Sequence, residues 1–245
     1  VTQKKEMEIE PKSFFVPWGE IQTKMLIFTM PSKSIRQIFH LEEFCQLFDK
    51  LTADAYSFIG AKQQSIKRVI FDVDLPFNNT TPVNVDGSVV MHVDNLEGIL
   101  NTDHPNSDIL LLLTHLAFSH IETTFQDKDI EMMLSMLAGC YSIKKSWPDE
   151  PPLMAVPDSP SKLFCSLFDL CEDEGHEPFS LAIQSVSMKK NIRNSREAWM
   201  FFIAKLSKIC KKELHELTDK LNQTGKLLTQ SSDHLLMYRI DDCDD

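Results

Sequence analysis

"NSDILLLLTHLAFSHIETT", residues 106–124, decides the fold class of this chain. Its apolar centre, Ile109 to Phe118, stops well short of the roughly 18 apolar residues that cross a bilayer, and His115 interrupts it. Asn106 or Ser107 stands where a helix wants a side-chain cap, so the stretch predicts a buried core helix through about Thr124. Asp127 then opens a second strongly apolar helix running to about Ile143. These two helices are expected at the centre of the core.

Upstream, residues 1–13 are polar and charged, and alternation around Ile21, Met25, Ile27 and Met30 predicts a strand near 23–30. From Ser34, the apolar positions Ile35, Ile38, Phe44, Phe48, Leu51, Ala55 and Phe58 keep helical spacing, giving one long or two abutting helices that end near Gly60. "RVIFDVDLP" (68–76) and "GSVVMHV" (87–93) are β-rich and flank a turn-forming stretch, which predicts a β-hairpin with a long loop. Downstream, the proline-rich 146–161 reads as a linker or surface loop. A short helix from Ser161 to Cys171 and a helical hairpin or long helix from about Ser195 to Leu228 follow. The fold class is α+β, predominantly α-helical, with a small antiparallel β portion in the N-terminal half and an extended C-terminal arm. Residues 1–232 form a single globular, mainly helical domain and 233–245 the arm.

A chain of 245 residues, 42% hydrophobic and 25% charged, can bury a core without disulfides. Its six cysteines lack the density of a disulfide framework, which points to a reducing compartment, cytoplasm or nucleus, with the cytoplasm expected. The net charge of −11 argues against a surface that binds nucleic acid everywhere, although a local basic groove remains compatible with it. No membrane span and no cofactor are expected.

Asp72 and Asp74, two apart after a β-run, have the shape of a phosphatase nucleophile motif, but Pro76 occupies the place where that motif wants a hydroxyl. The alternative is plain alternation, with the aspartates facing solvent and Phe71 and Val73 buried. His115 and His120 lie five apart, about 140° around a helix, which suits one metal poorly. The basic residues concentrate in 189–212: Lys189, Lys190, Arg193, Arg196, Lys205, Lys208, Lys211 and Lys212, against the single acid Glu197. They predict a phosphate-binding stripe, with Trp199 and Phe201 as stacking faces for single-stranded RNA. The tail "LLMYRIDDCDD" places Leu235, Leu236, Met237, Tyr238 and Ile240 ahead of acids. It reads either as an arm laid on a second copy of the chain or as a final strand of the chain's own sheet.

With "PKSFFVPWGEIQTKMLIF" near the front and that tail, the chain resembles the viroplasm-forming non-structural proteins of plant reoviruses of the fijivirus group. The resemblance implies a non-enzymatic, self-assembling scaffold in cytoplasmic inclusions. Dimers would be linked by the arm, single-stranded RNA would be held by the basic residues, and other viral proteins would be partners. The alternatives are a phosphatase-like enzyme using Asp72 and Asp74, or a monomeric cytosolic interaction domain.

Overall fold

Alternating burial along Leu26, Phe28 and Met30, all fully buried, makes residues 26–31 a strand with one face on the core. In the computed structural model, which describes residues 16–61, 66–73, 82–150, 153–155, 162–214, 216–217 and 237–239, this is the second strand of a five-stranded sheet. The strands are β1 (Trp18–Gln22), β2 (Leu26–Pro31), β3 (Lys67–Asp72), β4 (Val83–Val85) and β5 (Ser88–His92), in the spatial order β1-β2-β3-β5-β4. The fold is α+β and mainly helical, with this small sheet in the N-terminal half.

The sheet is mixed. β1 and β2 pair antiparallel, as do β4 and β5, whereas β2–β3 and β3–β5 are parallel. A parallel partner needs a long crossover, and the helical segment after β2 supplies it. After a single turn, α1 (Ser32–Ile35), comes α2 (Leu41–Ile59), ended by Gly60 in the left-handed conformation at φ 68°. α2 lays Phe44 and Phe48 on the sheet, with ring centroids 5.4 and 5.1 Å from that of Phe28. The expected hairpin between 68–76 and 87–93 is therefore corrected: β3 and β5 run parallel, and the hairpin joins β4 to β5. Asp86 (φ 49°) and Gly87 (φ 77°) close it as a two-residue turn of the type suited to strand twist.

After α3 (Leu96–Leu100), the two central helices are α4 (Ser107–Ile121) and α5 (Lys128–Ser146). Asn106 Oδ1 accepts from the amides of Asp108 and Ile109, and Asp127 Oδ1 accepts from Asp129 and Ile130, so both expected caps form. α4 is buried on most of its circumference, as a helix apolar all round must be. It packs closely on α5, because Gly139 leaves the room that Leu110 takes: a Cβ there would lie 2.8 Å from Leu110 Cδ1. The remaining helices are α6 (Lys162–Glu174), α7 (Glu177–Met188) and α8 (Ser195–Cys210). Two short strands, β6 (Leu153–Ala155) and β7 (Met237–Arg239), pair antiparallel within the chain. No helix among the described residues is long and apolar enough to cross a membrane.

Candidate functional site

Among the described residues the sheet ends on β4, a three-residue strand beside α4. In a two-residue hairpin the residues flanking the turn, here Val85 and Ser88, exchange the backbone hydrogen bonds of a close pair, so the next pair, Asn84 and Val89, is of the non-bonded kind. The N–H and C=O of Asn84 consequently point away from β5, toward the open edge. Its side chain reaches α4, where Nδ2 donates to the carbonyl of His115 at 3.3 Å. The edge is thus held against the central helix by a residue whose backbone, among the described residues, has no strand partner beyond β5.

α4 and the helices packed on it carry a set of polar groups in or beside the core. His115 is 6% exposed and its Nδ1 has no hydrogen-bond partner among the described residues; burial holds its imidazole down to about 4. One and a half turns on, His120 stacks edge-on against Tyr56 of α2 at 4.3 Å between centroids, and burial, with Lys67 adding to it, also lowers this imidazole to about 4. Glu131, 1% exposed on α5, takes the amide of Phe125 at 2.8 Å. Burial pushes its carboxyl up, while the backbone amides of Phe125, Thr123 and Gln126 pull it back down. Glu131 thereby fastens a turn in which Thr123 (φ 75°) and Gln126 (φ 57°) are left-handed.

A helix-borne hydrolytic metal centre takes two histidines at i and i+4 with a glutamate beside the first. On α4, His115 is followed by Leu116 and Ser119, and the next histidine comes one place too late. Among the described residues no group of three or more His, Cys, Asp or Glu side chains is placed to hold a metal ion. These residues do not fit such a centre.

No family model and no curated protein matches the sequence. Solved structures do. A functionally unknown conserved protein from Bacillus anthracis str. Ames superposes with a TM-score of 0.67 at 11% identity, over 86% of this chain and 49% of that one. The M60 catalytic domain of Clostridium perfringens ZmpC, solved in complex with the sialyl T antigen, gives 0.54 at 12% identity, over 88% and 48%. The M60 catalytic domain of ZmpB from the same organism, solved with its two CBM51 domains, gives 0.50 at 10% identity, over 89% and 27%. The chain shares its fold with M60 catalytic domains. It spans about half the length of the first of these structures.

This overturns the RNA-binding, non-enzymatic scaffold and the viral role attached to it, because the fold is one that houses catalytic domains. The basic residues also have other engagements. Lys189 pairs with Glu197 at 3.5 Å and sits 4.1 Å from the Phe201 ring centroid; Lys205 covers the same ring at 5.3 Å. The Arg193 amide donates to Glu197, and Lys212 pairs with Glu174 at 2.8 Å and Asp173 at 3.2 Å. Lys190, Arg193, Arg196 and Lys208 are exposed, and Lys211 caps the end of α8. Trp199, proposed as a stacking face, is a core residue at 1% exposure.

In the tail, Met237 and Tyr238 belong to β7, whereas Leu235, Leu236 and Ile240 lie outside the described residues. Asp72 closes β3 and Asp74 lies outside the described residues; Val73, expected to be buried, is 53% exposed because the strand has ended before it. Asn84 and Tyr56 are not among the candidate residues that composition or spacing marks. The Asp-Gly turn after "VNV" was the available signal for an edge strand at Asn84, and nothing local marks Tyr56.

Proposed function

We propose that this chain is a polypeptide-binding domain built on the fold of M60 catalytic domains, taking an extended segment as an added strand along β4, over α4. The observation that carries the reading is the outward-facing backbone of Asn84 on an edge strand tethered to the buried helix. Main-chain pairing of this kind supplies affinity, and flanking pockets choose the side chains. The described cysteines are all free thiols, which supports a cytoplasmic setting for this activity. A second reading, recognition of a glycan carried on the polypeptide, is favoured by the sialyl T antigen bound to the ZmpC domain.

One experiment separates the two. A fluorescent Ser/Thr-rich peptide, bare or bearing the sialyl T antigen, is titrated with the chain and followed by anisotropy, while mass spectrometry monitors cleavage. Asn84→Pro removes the outward N–H at a place where an edge strand tolerates proline, and it should weaken binding. Equal binding of both peptides supports strand addition; binding of the glycosylated form alone supports the glycan reading. If neither peptide binds, both readings are rejected.

A further inference from the structure

On another part of the chain, three helical segments bring together residues far apart in sequence. Asp54 and Ser57 share a face of α2, Tyr141 and Lys145 lie one turn apart on α5, and His176 precedes α7. The segment between α6 and α7 reverses through Gly175 at φ 77°, which delivers the imidazole toward the other two helices. Ser57 Oγ lies 3.0 Å from His176 Nε2, and the Tyr141 hydroxyl lies 2.9 Å from His176 Nδ1. The Tyr141 and His176 rings lie 4.9 Å apart at 30°. Lys145 Nζ donates to Asp54 Oδ1 at 2.6 Å and sits 5.8 Å from the Tyr141 ring centroid. Behind them, Phe58 packs on Tyr141 at 5.7 Å and on Phe179 at 5.2 Å.

The arrangement meets the geometric test for an activated nucleophile: a hydroxyl within reach of a base, and the base oriented by a third group. A tie that served packing alone would gain most from burial, yet Ser57 is exposed and open to an approaching carbonyl. We propose that Ser57, His176 and Tyr141 form an acyl-transfer site for carboxylic esters, with Ser57 as nucleophile, His176 as base and Tyr141 as the residue that positions the ring. This goes beyond the binding activity assigned to β4 and does not depend on it.

The step uses the imidazole tautomer in which Nδ1–H donates to the Tyr141 oxygen, leaving Nε2 free. Ser57 Oγ bonds to the acyl carbon while its proton passes to Nε2. The bond from carbon to the leaving alcohol oxygen then breaks, and that oxygen takes the proton from Nε2. Water repeats the sequence on the acyl-Ser57 ester, releasing the carboxylic acid and restoring the hydroxyl. Burial, and then the nearby Lys145 ammonium, lowers the His176 pKa below its usual 6.5 despite the Asp54 and Glu177 carboxylates, which pull it up, so the base is neutral at pH 7.

The test is labelling of the full chain with a fluorophosphonate, which forms a bond from Ser57 Oγ to phosphorus as fluoride leaves. Peptide mapping should find the adduct on Ser57, absent in Ser57→Ala. His176→Gln should slow labelling by about 100-fold or more, the range of general-base assistance. Tyr141→Phe should slow it less and move the midpoint of the rate against pH. Wild-type labelling should rise through a midpoint below 6.5, which decides the matter if the His176 variant fails to fold. Absence of any Ser57 adduct, a pH-independent rate, or a rate indifferent to His176→Gln overturns the proposal. Because labelling does not report on peptide capture along β4, either activity can fail without the other.

Discussion

Acidification should destabilise this protein through His115. In the folded chain the imidazole is 6% exposed, has no partner on Nδ1 among the described residues and is held down to about 4, against 6.5 when free in water. Above 6.5 both folded and unfolded chains carry it neutral, and its neutrality costs nothing. Between 6.5 and about 4 the unfolded chain binds the proton and the folded chain does not, so stability falls as pH falls. At about 1.4 kcal/mol for each pH unit, that interval integrates to about 3 kcal/mol, a large part of the roughly 5–15 kcal/mol that holds a domain folded. Urea titrations at pH 7, 6, 5 and 4 on the wild type and His115→Gln measure it, since other groups titrate alike in both and cancel in the difference. The prediction is that the wild type loses about 3 kcal/mol more than the variant between pH 7 and 4. Parallel stability curves for the two proteins would show that His115 is hydrated in the folded state and refute the reasoning.

Three further outcomes follow from the packing. Glu131→Ala strands the Phe125 amide and loosens the left-handed turn between α4 and α5, so urea denaturation at pH 7 should show a loss of about 2–3 kcal/mol; Glu131→Gln, keeping an acceptor, should lose less. Asn106→Ala removes the cap of α4 and two bonds to the carbonyls of Gly98 and Asn101, and should lower stability by at least about 1 kcal/mol in the same assay. Gly60→Ala forces a side chain at φ 68° against the Gln184 amide group, and should cost about 1–2 kcal/mol; an unchanged melting temperature would mean that Gln184 swings aside and the turn relaxes.

The parts of the fold governed by local chemistry could be read in the sequence. Asn106 and Asp127 cap their helices because a side-chain oxygen needs only the amides two and three residues on. The end of α2 at Gly60 is local in the same sense. Pairing partners are another matter: β3 and β5 look like the two arms of a hairpin until β4 takes the antiparallel place and leaves them parallel. α7 is not legible in the sequence because it begins inside an acidic stretch that reads as a loop, with Pro178 in its first turn. The basic run misled for a similar reason. Counting charges along 189–212 finds one acid, whereas the fold brings Asp173 and Glu174 to Lys212 across the join of α6 and α8. Ser57 and His176, separated by 119 residues, carry no local sign of each other.

The parallel pairing also has a kinetic consequence. Leu26 meets Lys67 only after the whole of α2 has been threaded between them, whereas α4 and α5 are joined by a short turn that brings them together almost at once. Contacts between distant residues pay their loop-closure entropy before any pairing rewards it. The topology therefore predicts that amides of 107–146 gain protection from exchange early in refolding and those of β2 and β3 late. Pulse-labelled hydrogen exchange reads this order directly, and simultaneous protection of both regions would mean that the sheet and the helix pair form as one cooperative unit.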